Sequence, residues 1–164
     1  MDEIAAVAGL AVGTLYGHFP TKTHLVTAVV GEFFTRVADR SEAAAASVRH
    51  GSPAFDELSV LLRDIVIATA TNQAVKAAAG ALNDDGNSAD LERAGIALQS
   101  IIDRARLDGS VRPDLSIADF YLLVSNIPAG QTPEVLDRWV TLILHGIARS
   151  GRSTTDQGRS AGHG

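Results

Sequence analysis

Residues 1–30 read MDEIAAVAGLAVGTLYGHFPTKTHLVTAVV. Asp2–Val7 has the pattern of a short helix with Ile4 and Val7 on one face, and Gly9 ends it. Val12–Phe19 reads as a second short helix, stopped by Pro20, which has no backbone N–H to extend it. Thr21 then stands as the cap of a third helix. Two short helices joined by a turn containing glycine describe a helix-turn-helix. Ala5 is small enough to let the two helices lie close, and Leu10 and Leu15 are expected to face inward and lock them. Val12, Gly13, Thr14 and Gly17 then fall on the solvent side of the second helix, small enough for it to approach a major groove. Thr14 suits a thymine methyl or a base edge. Tyr16 and His18 carry donors suited to phosphate, and Lys22 lies in the first turn of the next helix, where free backbone amides also favour an anion. The same pattern fits helical proteins that bind no nucleic acid, with Tyr16 and Phe19 as core aromatics and Lys22 as a solvated charge.

Charge bears on that choice. The formal net charge is −5, which argues mildly against a nucleic-acid partner. Its distribution matters more: residues 4–31 hold Lys22, His18 and His24 and no acid. The chain of 164 residues has no cysteine. That excludes a disulfide scaffold, a thiolate nucleophile and a cysteine-ligated metal. Two acids, Asp2 and Glu3, and no basic run precede the apolar residues, so no signal peptide is expected and the cytoplasm is the expected compartment. No apolar run approaches membrane-spanning length.

Beyond residue 21 the period stays helical. Leu25, Val29, Phe33 and Val37 recur every fourth position, with Val26, Val30 and Phe34 beside them, giving a wide buried stripe. This long helix extends through Glu42–Val48 to Gly51 and Pro53. Further helices are expected over Ala54–Thr71, over Gln73–Leu82, from Ser88 or Asp90 to Gly109, from the cap Ser116 to near Pro128, and after Thr132-Pro133. Asn83–Asn87 reads as a loop. The tail 151–164 is Gly, Ser, Thr and charge and is expected to be disordered. No segment alternates with strand period. The fold class is all-α: a helix-turn-helix head over 1–30, joined by a long helix to a helical effector-binding and dimerisation body over 31–150.

IAAVAGLAVGTLYGHFPTKTHLVTAVV resembles the signature of the TetR family of bacterial transcription regulators, IA-x-x-AGVS-x-GTLYRHF-x-x-K-x-x-L. The matching residues are Ile4, Ala5, Ala8, Gly9, Gly13, Thr14, Leu15, Tyr16, His18, Phe19, Lys22 and Leu25. GSVRPDLSIADFYLLV is similar to the stretch that opens the last helix pair in many members. The resemblance implies a homodimer on a palindromic DNA operator, released when a small molecule in the body moves the two reading heads. It makes Val12–Phe19 the recognition helix, with Tyr16, His18 and Lys22 on backbone phosphates.

The sequence departs from that pattern in three places. Members place another helix and a linker before the pair, whereas Met1 here stands where the short helix begins. The head is therefore expected to be N-terminally truncated, loosened and weak on DNA, through a start-site error, a boundary or a real shortening. Ala11 replaces the usual capping serine, and Gly17 replaces the common arginine, removing a charge and weakening the helix.

In the body, an apolar effector is expected beneath the long helix. Phe33 and Phe34 are adjacent, so that one faces neighbouring helices and the other a cavity edge. Leu62, Ile65 and Thr69, Leu82, and Leu98, Gln99 and Ile102 are the other candidate lining residues; close-packed core is the competing reading. The last two helices carry Phe120, Leu123, Val124 and Ile127, then Leu136, Trp139, Val140, Ile143 and Ile147. This is more apolar surface than one body covers, which predicts a four-helix dimer interface anchored by Trp139; closure of the monomer core is the alternative. No catalytic residues, cofactor fingerprint or metal ligands are expected: no histidines sit at helical ligand spacing, and no nucleophile–base pair stands out. The leading expectation is a repressor released by a small apolar ligand. The alternative is a non-DNA-binding dimerisation or protein-interaction module, and an enzyme is disfavoured.

Overall fold

The computed structural model describes residues 1–71, 88–128 and 130–149. The expected helix Gln73–Leu82, the loop Asn83–Asn87 and the tail 151–164 lie outside them. Seven helices are present among the described residues: α1 Asp2–Ala8, α2 Val12–His18, α3 Lys22–Arg49, α4 Ala54–Thr71, α5 Ser88–Leu107, α6 Ile117–Ser125 and α7 Pro133–Ile147. No helix among them is long and apolar enough to cross a membrane.

The punctuation follows local chemistry. Gly9 closes α1 at φ 67°, a left-handed conformation, and the Leu10 N–H donates back to the Ala5 carbonyl at 2.9 Å. Ala11 stands at the start of α2 with no side-chain capping bond. Thr21 caps α3: its Oγ1 accepts from the His24 backbone N–H at 3.2 Å. Thr21→Ala is expected to cost about 0.5–2 kcal/mol, read as a lower thermal midpoint by circular dichroism. Ser116 and Asp119 form a reciprocal capping box on α6. That helix ends at Ser125, short of the expected Pro128, and the Asn126 side chain donates to the Leu122 carbonyl at 2.7 Å. Pro133 opens α7 at its first position.

α3 is one continuous helix of 28 residues, about 42 Å long. It runs straight through the expected boundary at residue 30 and joins head to body without a break. In the head, α1 packs on α2. Ala5 and Leu15 are buried there, but Leu10 is half exposed, contrary to the inward position expected for it. Leu10 lies in the turn between the helices, just past Gly9, and belongs to neither helix face. Ile4 is also exposed, and Val7 is 92% exposed.

In the body, α3 packs chiefly along α5 and also on α4, which meets α5 and α7. The main core gathers Leu58, Leu61, Leu62, Ile101, Ile102 and Val140, with Ala44 and Ala45 from the far end of α3. A smaller cluster of Val30, Phe33 and Phe34 lies nearer the head. Among the described residues an isolated bridge joins Val111 and Ala148, where the Arg112 N–H donates to the Ile147 carbonyl at 2.9 Å. It fastens the end of α7 to the turn after α5.

Ion pairs tie the same helices together at the surface. Arg93 on α5 reaches Asp39 and Glu42 on α3, each at 2.7 Å, and Asp90 at 2.8 Å. The Thr35 hydroxyl donates to Asp90 at 2.7 Å. Arg40 pairs with Asp64 between α3 and α4, and Arg63 with Asp137 between α4 and α7.

The Thr35 hydroxyl, then Arg93, holds the Asp90 carboxyl below its usual range. Arg112 does the same for Asp114, and Ser116 for Asp119. A carboxyl whose folded pKa is depressed stabilises the fold above its unfolded value, near pH 4. That contribution is lost as pH falls through the lower folded value. The thermal midpoint is therefore expected to hold above about pH 4 and to fall on further acidification. Arg93→Ala should lower the midpoint at neutral pH and flatten part of the acid limb, read by circular dichroism melts across pH.

Candidate nucleic-acid interface and ligand cavity

The face expected to meet DNA is open. Val12, Gly13, Thr14, Tyr16, Gly17, His18 and Lys22 are all exposed, on α2 and the first turn of α3. Leu15, between them in sequence, is buried and turns the opposite side of α2 inward. Nothing lies within 4 Å of where a Cβ would stand at Gly13 or Gly17. α2 therefore has open space at these two positions. Phe19 is half buried, with its ring centroid 6.5 Å from that of His18.

In the body, a cavity of about 450 Å³ opens between α3, α4, α5 and α6. Its walls follow helical stripes. Leu61, Ile65 and Thr69 come from α4 at four-residue spacing, and Leu91, Ala94 and Leu98 from α5. α3 gives Phe33, Phe34, Val37 and Ser41, and α6 gives Phe120, Tyr121, Val124 and Ser125. Phe33 and Phe34 meet edge to face, centroids 5.4 Å apart, and both line the cavity. The division of labour expected between them does not hold.

Of the expected lining residues, Phe33, Phe34, Ile65, Thr69 and Leu98 are brought together here. Leu62 and Ile102 are not: both are fully enclosed in the main core. Leu62 is one position off the 61–65–69 stripe, so its side chain leaves α4 on another face. Gln99 donates to Asp103 at 2.9 Å on the surface of α5. Leu82 lies outside the described residues. The missed wall is α6, whose Phe120 and Val124 had been grouped with the dimer surface.

The expected interface residues divide by burial. Phe120, Leu136, Val140 and Ile147 are enclosed within the single chain, so their area is already covered. Leu123, Val124, Ile127, Trp139 and Ile143 are half buried. The apolar side chains that do face outward on these helices include Leu122 (63% exposed), Leu142 (54%) and Val135. They lie at neighbouring turns and were not in the expected set. Among the described residues, no cluster of His, Asp or Glu is arranged to hold a metal ion.

This architecture of short helix pair, long helix and helical body has relatives. Residues 53–149 match the family described as the C-terminal domain of SbtR-like transcriptional regulators, and residues 1–29 match the bacterial regulatory proteins of the tetR family. The chain belongs to the TetR family of transcriptional regulators. The TetR transcription regulatory protein from Mycobacterium vanbaalenii shares the fold with a TM-score of 0.62 and 28% identity, over 90% of this chain and 81% of that one. A TetR transcriptional regulator from Streptomyces coelicolor shares it with a TM-score of 0.65 and 22% identity, over 91% and 87%. The HTH-type transcriptional repressor KstR of Mycolicibacterium smegmatis is 28% identical over 117 residues, 70% of this chain and 56% of that protein. KstR of Mycobacterium tuberculosis is 34% identical over 62 residues, 38% of this chain and 27% of that protein. The chain thus spans about half the length, or less, of the curated relatives it matches. In TetR terms, α1 and α2 are the helix-turn-helix, α3 is the connecting helix, and α4–α7 are the body.

Proposed function

We propose that this TetR chain is a homodimeric repressor whose hold on a palindromic DNA operator is released by a small apolar molecule in the body cavity. The observation that carries the reading is α2, with Val12, Gly13, Thr14 and Gly17 exposed and open space at both glycines, beside Lys22 on the next helix. The matched relatives named as repressors support repression over activation. α3 links the two sites physically. Its first turn carries Lys22, and its fourth and fifth turns carry Phe33, Phe34 and Val37 on the cavity wall. A ligand that favours a wider spacing of α3 from α5 moves the head, provided that it binds that state more tightly. The Arg93 clamp onto Asp39 and Glu42 opposes that widening.

Selection of duplexes from a random DNA pool tests the reading. Two-fold symmetric sequences are the expected product, one half-site per head. Two variants then sort the contacts. Lys22→Ala should weaken binding to all sequences and lower the salt slope by about 1. Gly17→Arg restores the residue common in the family at a site with open space, so it should tighten binding and steepen the slope by about 1. Thr14→Ala should instead change preference at one base position.

The exposed apolar side chains of α1 support a second reading, a protein-interaction module that does not engage DNA. Selection without enrichment of any sequence is its signature.

A further inference from the structure

The body cavity offers hydroxyl groups and, among the described residues, no charged side chain. Ser41 is already engaged, its Oγ donating to the Val37 carbonyl at 2.7 Å. Thr69, Tyr121 and Ser125 also line the cavity, and their hydroxyls have no hydrogen-bond partner among the described residues. Arg93, on α5 between the lining residues Leu91 and Ala94, is committed to three carboxylates, Asp39, Glu42 and Asp90.

Tyr121 holds a specific place among these groups. It is 46% exposed, and its hydroxyl lies over Gly95 of α5, next in sequence to the lining residue Ala94. A Cβ added at Gly95 would stand 2.9 Å from the Tyr121 hydroxyl and 3.8 Å from Ile117 Cδ1. The glycine leaves the space that this hydroxyl fills.

A charged ligand entering here gives up its hydration and finds no opposite charge among the described lining residues, which is strongly disfavoured. A pure hydrocarbon displaces water from the three hydroxyls and gives nothing back. From this juxtaposition we infer that the cavity takes a neutral, largely hydrocarbon molecule bearing one hydroxyl or carbonyl group, and that Tyr121 is the specificity-determining residue that meets it. The inference rests on the ligand-cavity reading above and narrows it to one chemical class.

Three probes of one chain length separate the classes: 1-decanol, decanoate and decylammonium, each below its micelle concentration and near neutral pH. Dissociation constants are read by isothermal titration calorimetry at two temperatures, so that no heat is missed through a vanishing enthalpy. Decanol is expected to bind, and both ions to bind at least about tenfold more weakly. Tyr121→Phe removes a hydroxyl that holds no other group among the described residues, so its melting point should stay that of the parent while decanol affinity drops about five- to tenfold. Gly95→Ala should weaken decanol as well, by displacing the same hydroxyl. Binding of either ion as tight as that of decanol overturns the neutral class and leaves the cavity reading standing. Unchanged decanol affinity in Tyr121→Phe overturns the role of Tyr121. No binding by any of the three overturns the cavity reading itself.

Discussion

Leu62→Ala is expected to lower the unfolding free energy by about 2–5 kcal/mol, the range for a large side chain removed from a closed core. Leu62 is fully enclosed among residues from several helices. Its loss leaves a new void with no route for the surroundings to relax fully. Ile65→Ala, three positions on, should cost less. Ile65 already borders the cavity on one side, so it has fewer packing partners to lose. Urea denaturation of the two variants, with unchanged slopes, gives the comparison. Equal costs, or a Leu62→Ala cost below about 1 kcal/mol, would mean that Leu62 faces open space after all.

Leu122→Arg and Leu142→Glu are expected to convert a dimer to a monomer at micromolar concentration. The proposed interface is a four-helix contact of α6 and α7 with their two-fold mates. Phe120, Leu136, Val140 and Ile147 are already covered inside one chain. The outward stripe of Val135, half-buried Trp139 and Leu142 must therefore carry the contact, with Leu122 from α6. Gly146 extends the stripe, with nothing within 4 Å of its missing Cβ, so a partner helix can approach there. A charge at Leu122 or Leu142 appears twice in a two-fold interface and is buried without a partner each time. The dimer dissociation constant should rise at least about a hundredfold. Sedimentation velocity reads both states. A monomer mass for the parent chain at the same concentration would remove the interface altogether.

The helix boundaries were legible because short-range chemistry sets them. Gly9 supplies a left-handed turn, Thr21 and Ser116 supply capping oxygens, and Pro133 has its ring at the one helical position that needs no N–H. Each of these is read from a handful of neighbouring residues. The inner side of α2 was legible at Leu15, because a short amphipathic helix has only one apolar side to hide. Leu10 was misplaced because the orientation of a turn residue depends on where the flanking helices go.

The walls of the cavity were half legible for the same reason. Periodicity along α3 and α4 brought Phe33, Phe34, Ile65 and Thr69 to one side. It does not say which of Leu61 and Leu62, about 100° apart on a helix, faces a void and which faces packed core. Nor does it say that α6 closes the cavity. Phe120 was expected in the interface and Leu122 was not, yet Phe120 is enclosed by its own chain and Leu122 faces outward. That difference comes from the tertiary position of a nine-residue helix, which no local pattern encodes. The net charge of −5 pointed away from DNA, whereas the acid-free stretch 4–31 pointed toward it. The family match at residues 1–29 favours the local signal over the sum.

Fluorescence anisotropy of a labelled duplex carrying the selected sequence, titrated at two salt concentrations beside a scrambled duplex, tests the central claim most directly. Two protomers are expected per selected duplex, bound at least about tenfold more tightly than the scrambled one and more weakly at the higher salt. Equal affinity for both duplexes, or binding to neither, would contradict the account.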